Sequence, residues 1–102
     1  MALSDMRAVA KVEEPRTLSD PQKIYTYGDW LFIVERMKGI HMVDNSIVSN
    51  PRFVKFLNMP GCVDVSVIGN YLYAVQGPDL VLWDISDVAN IQFNSRFKST
   101  MN

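Results

Sequence analysis

The sequence predicts an all-β protein built from two four-stranded antiparallel blades of the β-propeller type. The first supporting observation is an internal repeat. Gly28-Asp29-Trp30-Leu31-Phe32-Ile33-Val34-Glu35 aligns with Gly69-Asn70-Tyr71-Leu72-Tyr73-Ala74-Val75-Gln76 at an offset of 41. Gly39-Ile40-His41-Met42-Val43-Asp44 aligns with Asp79-Leu80-Val81-Leu82-Trp83-Asp84 at an offset of 40, which also carries Asn50 onto Asn90, Phe53 onto Phe93 and Leu57 onto Phe97. The second is strand chemistry: runs rich in Val, Ile, Tyr, Phe and Trp alternate with the turn formers Gly28-Asp29, Asn50-Pro51, Gly69-Asn70 and Gly77-Pro78-Asp79. The third is that Trp30-Leu31-Phe32-Ile33-Val34 and Leu80-Val81-Leu82-Trp83 are continuously apolar. Strands of that kind are covered on both faces, as a blade between neighbouring blades is.

The elements follow in order. Residues 1–22 form an N-terminal arm. Counting back one repeat from the outer strand of the first unit places residues 12–18 in the outer-strand slot of a preceding blade, so the arm carries an extra strand. Blade 1 spans 23–60, with strands over 23–28, 30–36, 39–45 and 52–58. Blade 2 spans 61–102, with strands over 63–69, 71–77, 80–86 and 91–98. Gly69-Asn70 suits a two-residue hairpin turn in which glycine supplies a positive φ. No apolar stripe recurs at helical spacing.

Composition excludes several classes. The chain of 102 residues is one small domain, and 48% hydrophobic with 21% charged residues rules out collagenous or wholly disordered chains. Ten basic and eleven acidic side chains leave a net charge of −1, which gives no electrostatic pull toward nucleic acid or an anionic membrane. The single cysteine, Cys62, excludes an internal disulfide framework and any multi-cysteine zinc site. No apolar run reaches the ~18 residues of a membrane-spanning helix. The opening Met1-Ala2-Leu3-Ser4-Asp5-Met6 lacks the layout of a signal peptide.

Gly39-Ile40-His41-Met42-Val43-Asp44-Asn45 and Asp79-Leu80-Val81-Leu82-Trp83-Asp84-Ile85-Ser86-Asp87 resemble the strand-and-turn motif of the LVIVD-repeat β-propellers of bacteria and archaea. Pro21-Gln22-Lys23-Ile24-Tyr25, residues 38–45, Pro60-Gly61-Cys62-Val63-Asp64 and Gly69-Asn70-Tyr71-Leu72-Tyr73-Ala74 are similar to the first two blades of a lipoprotein-like subgroup. The resemblance spans about residues 7–98 and implies a propeller fold, with no catalytic site attached to the motif. Members of that subgroup are typically longer and carry an export signal with a lipid-attached cysteine. Cys62 lies mid-chain and does not match that anchor, so localisation does not transfer. Trp83-Asp84 also resembles the tryptophan–aspartate repeat, but the Gly-His pair of that repeat is absent.

A propeller closes with about four to eight blades. Two blades therefore imply a larger closed propeller reached by head-to-tail oligomerisation, three copies giving six blades, or a truncated piece of a longer one. A monomer with a rearranged sheet is the third alternative. Exposed blade faces would then mediate self-association or take a protein partner.

No residue pattern points strongly to catalysis, a cofactor or a metal. His41, the only histidine, has no second ligand at metal-binding spacing and reads as a packed structural residue. Asp44 and Asp84 share a repeat position and suit a structural role, accepting backbone N–H groups in the following turn. Cys62 reads as a small, partly buried thiol. Blade topology gathers the loops 35–38, 58–62 and 76–79 at one end, so the candidate partner or ligand face comprises Arg36, Lys38, Cys62, Asp64 and Asp79. Asp64 and Ser66, or Tyr25 and Tyr27, would line a central channel. The expected function is a non-enzymatic interaction or scaffold module. The alternatives are a small-ligand binder or enzyme whose site forms only in an assembled ring, and an inactive fragment.

Overall fold

The computed structural model describes residues 10–98. Nine strands and one short 3₁₀ turn (Val88–Asn90) make up its regular structure. Blade 1 consists of β2 (Pro21–Tyr27), β3 (Trp30–Glu35), β4 (Gly39–Asp44) and β5 (Arg52–Asn58), preceded by β1 (Lys11–Glu13). Blade 2 consists of β6 (Cys62–Ile68), β7 (Tyr71–Gln76), β8 (Asp79–Asp84) and β9 (Gln92–Phe97). All pairings are antiparallel, in the orders β1-β5-β4-β3-β2 and β6-β7-β8-β9. The fold is the all-β pair of propeller-type blades expected from the repeat.

The duplication extends to backbone irregularities. Both inner strands carry a bulge at equivalent places, between Pro21 and Lys23 and between Cys62 and Asp64. The central strands slip against the outer ones at Met42/Val43 and again at Leu82/Trp83. The single-residue change of offset lies in a turn, where three residues join β3 to β4 but two join β7 to β8. Turns accept such a change because no ladder register depends on their length.

Side-chain alternation divides each blade into two faces. On blade 1, Phe32, Val34, Ile40, Met42 and Leu57 face blade 2 and are fully buried. They meet Val65, Leu72, Ala74, Val81 and Trp83 of blade 2, and these residues form one continuous core. The Trp83 indole Nε1–H points at the Met59 sulfur, 3.3 Å away in the linker between the blades. Tyr25 and Tyr27 also turn toward this interface rather than into a channel: the Tyr25 hydroxyl donates to the Val67 carbonyl at 3.4 Å, and Tyr27 stacks on Phe32.

The arm departs from the expected placement. Instead of filling the outer-strand slot of a preceding blade over 12–18, β1 is a three-residue strand that extends blade 1, with Lys11, Val12 and Glu13 opposite Asn58, Leu57 and Phe56. The free edge of β5 offers unpaired backbone groups, and β1 satisfies them. From that edge, residues 14–20 must reach β2 at the opposite edge, and they cross the face turned away from blade 2. Arg16 lies 4.5 Å over the Phe56 ring, and Ser19 bonds to Glu35. Beneath this crossing Ile33, His41 and Phe56 are buried. The two-sided burial of the central strands thus comes from the arm on one side and blade 2 on the other.

Gly39 shows how closely blade 1 packs. Its φ is +151°, and a Cβ there would lie 2.0 Å from the Leu57 carbonyl and 2.8 Å from the Phe56 ring. In blade 2 the same two repeat positions hold Asp79 and Arg96, so an aromatic ring and a missing side chain replace an ion pair. Gly39→Ala should cost at least about 2 kcal/mol in urea denaturation, because backbone must move to admit the methyl group. Gly69→Ala meets no atom within 4 Å and should cost only about 1 kcal/mol, from its φ of +60° alone.

Candidate functional site

Two features of the fold stand out as surfaces that could do work: the loop end and the open face of blade 2. At the loop end the three segments expected to converge do so through backbone bonds. The Met37 amide donates to the Cys62 carbonyl at 2.7 Å, Gly61 donates to the Met37 carbonyl at 2.9 Å, and Gly77 donates to the Gly61 carbonyl at 3.1 Å. Met37 adopts a φ of +69°, the conformation that turns its amide and carbonyl toward the linker.

Beneath these loops lie two buried polar clusters at equivalent repeat positions. In blade 1 the Glu35 carboxylate accepts from the Ser19 hydroxyl at 2.6 Å and the Ser19 amide at 3.2 Å. It also meets His41 Nε2 at 2.8 Å and Lys38 Nζ at 3.1 Å. The Ser19 hydrogen bond, with support from His41 and Lys38, lowers the Glu35 pKa to about 2 against the opposing effect of desolvation. His41 is held between Phe53 and Phe56, and its Nδ1 has no hydrogen-bond partner. Nε2 is the ring nitrogen that presents a hydrogen to the carboxylate. In blade 2, Arg96 donates to Asp79 at 3.0 Å and to Gln76 at 2.8 Å, while Gln76 donates to the Pro60 carbonyl at 3.0 Å.

The residues singled out from sequence divide between surface and interior. Arg36 is exposed in the β3–β4 turn, and Lys38 is exposed while holding Glu35. Asp64 is half-exposed at the inner edge, where the Lys23 ammonium 2.6 Å away holds its carboxyl below the usual range. Asp79 is buried with Arg96. Cys62 is fully buried, and desolvation pushes its thiol up to about 12. Asp44 and Asp84 each accept the backbone N–H two residues on, from Ser46 and Ser86, both at 2.9 Å. Sequence reading missed the partnership of Ser19, Glu35, Gln76 and Arg96. The matched positions of Glu35 and Gln76 in the repeat were the available signal.

The open face is the side of blade 2 turned away from blade 1. Ile68 and Phe97 are 63% and 58% exposed there, and Tyr73, Val75 and Leu80 are half-buried between them. Together they form a partly exposed apolar sheet face, within which Leu82, opposite Tyr73, is buried.

Two repeated four-stranded blades, joined face to face through an apolar core, define the chain as a propeller-type repeat protein. It belongs to the LVIVD repeat family, whose pattern matches residues 20–58 and again 62–99. Neither a curated protein nor a solved structure matches it significantly. Among the described residues, no helix is long and apolar enough to cross a membrane.

The polar clusters yield two predictions. Asp79→Ala should destabilise the fold by about 3 kcal/mol in chemical denaturation, because it strands Arg96 at a largely buried position. Glu35 has a depressed folded-state pKa, so its stabilising contribution is present above its ordinary value of 4.5 and is lost as pH falls toward about 2. Ser19→Ala removes the main cause of that depression, and its acid-unfolding midpoint, followed by circular dichroism, should move to higher pH.

Proposed function

We propose that this chain is a non-enzymatic interaction module whose working surface is the open face of blade 2. The observation that carries this reading is the contrast between equivalent positions: Leu57 is 0% exposed on blade 1 because blade 2 covers it, whereas Phe97, one repeat later, is 58% exposed. A face built to the same pattern as a buried interface is suited to burying itself against another protein surface.

The polar side chains support the same reading. Glu35 is engaged by Ser19, Lys38 and His41, and Asp79 by Arg96, so these carboxylates serve the loop framework. The Cys62 thiol, buried and held protonated, is a poor nucleophile. Asp64, opposite Val75 at the inner edge of blade 2, sets a charged group beside this apolar face.

The test is a variant carrying Val75→Arg and Phe97→Arg. Its far-ultraviolet circular dichroism should match the parent, since both side chains lie on the open face. Its binding of the apolar dye anilinonaphthalene sulfonate should fall several-fold. Unchanged dye binding in a folded variant would remove this face as the interaction surface.

A further inference from the structure

We infer that the occupant of the open face is a second copy of this chain, docked head to tail so that blade 1 of one copy covers blade 2 of the next. This rests on the interaction-module reading and names its partner. The molecule contains its own template for the contact. Within the chain, Val34, Ile40 and Leu57 of blade 1 pack against blade 2 and are fully buried. The same repeat positions in blade 2 hold Val75, Leu80 and Phe97, similar in shape and apolar, on the open face.

The receiving side shows the reciprocal mark. Val65 of blade 2 is 2% exposed because it faces blade 1, whereas Ile24, at the same repeat position on the far side of blade 1, is 58% exposed. The arm covers the outer part of that far side, through Arg16 on Phe56 and Ser19 on Glu35, and leaves the inner strand uncovered. The blade 2 end therefore presents Val75, Leu80 and Phe97, and the blade 1 end presents Ile24, side chains whose counterparts are buried at the internal junction.

Charge supports head-to-tail order. The junction between the blades is bridged at its inner edge by Lys23 and Asp64, 2.6 Å apart, and these two residues occupy one repeat position. At the next junction, Asp64 stands where Lys23 stood, and the incoming residue at the matching place is Lys23 of the following copy. Opposite charges meet at both junctions, and the inner edge alternates in sign along the assembly. A two-fold pairing of open faces brings no Lys23 to Asp64. Heterologous contacts of this kind form rings when the rotation closes, and about four to eight blades close a propeller. Two to four copies meet that requirement.

The experiment is mass measurement by size-exclusion chromatography with light scattering over a concentration series, confirmed by native mass spectrometry. The parent chain should give a discrete species at two to four times its 11.6 kDa mass. Val75→Arg, with unchanged circular dichroism, should return it to monomer. Lys23→Asp and Asp64→Lys should each associate poorly, because each places like charges at every junction. The double variant K23D/D64K should behave as the parent and show that reversed charges permit folding. A mixture of isotope-labelled parent with this double variant should form no mixed assemblies, since every contact between the two forms sets like charges together whatever the number of copies. A parent that stays monomeric at every concentration overturns the second copy as occupant, while the dye experiment separately decides whether the face is a docking surface. Association that survives Val75→Arg, or parent and double-variant copies that mix freely in one assembly, overturns the head-to-tail geometry.

Discussion

The linker between the blades, Met59-Pro60-Gly61, holds the rest of the molecule in place. Its groups bond to both blades: the Met59 amide to the Lys38 carbonyl, the Gly61 amide to the Met37 carbonyl, and the Pro60 carbonyl to the Gln76 side chain. Met59 itself is fully buried and sets its sulfur against the Trp83 indole. Because the linker is short and saturated with hydrogen bonds, blade 2 has little freedom to swing relative to blade 1. The apolar faces then meet in a fixed register, and Lys23 reaches Asp64, three residues beyond the linker, at the inner edge of the same junction. An arrangement that depended on side-chain packing alone would leave that alignment much looser.

The same logic explains why equivalent positions carry different chemistry. The position that is Glu35 in blade 1 is Gln76 in blade 2, and each satisfies the segment entering its blade at the loop end, Ser19 in one case and Pro60 in the other. Ser19 offers two donors, which suits a carboxylate, whereas Pro60 offers only a carbonyl, which requires an amide donor. The exchange of Gly39 and Phe56 for Asp79 and Arg96 follows the same rule, in which one side chain's bulk or charge is matched by its cross-strand neighbour.

Much of this was legible in the sequence because the repeat is written twice. Gly28 and Gly69 mark the hairpins, and the apolar runs after them identify the central strands. The convergence of the loops 35–38, 58–62 and 76–79 followed from antiparallel connectivity alone. What could not be read were facts set by neighbours. A short polar stretch such as Lys11–Glu13 has no periodicity that chooses between the edge of its own blade and that of another, and only the fold shows that it pairs with β5. The tyrosines Tyr25 and Tyr27 alternate correctly, but alternation does not say which face meets blade 2. Asp79 and Cys62 read as surface candidates because their loops are at the surface, while their side chains turn under the linker.

The burial of Cys62 has a consequence for redox chemistry. Its thiol is enclosed by the core, leans on the Asp64 carbonyl at 3.9 Å, and ionises only near pH 12. Disulfide exchange and sulfenylation both begin from an accessible thiolate, which this residue does not provide. With its sole cysteine withdrawn in this way, the folded chain is insensitive to the thiol–disulfide poise of its surroundings.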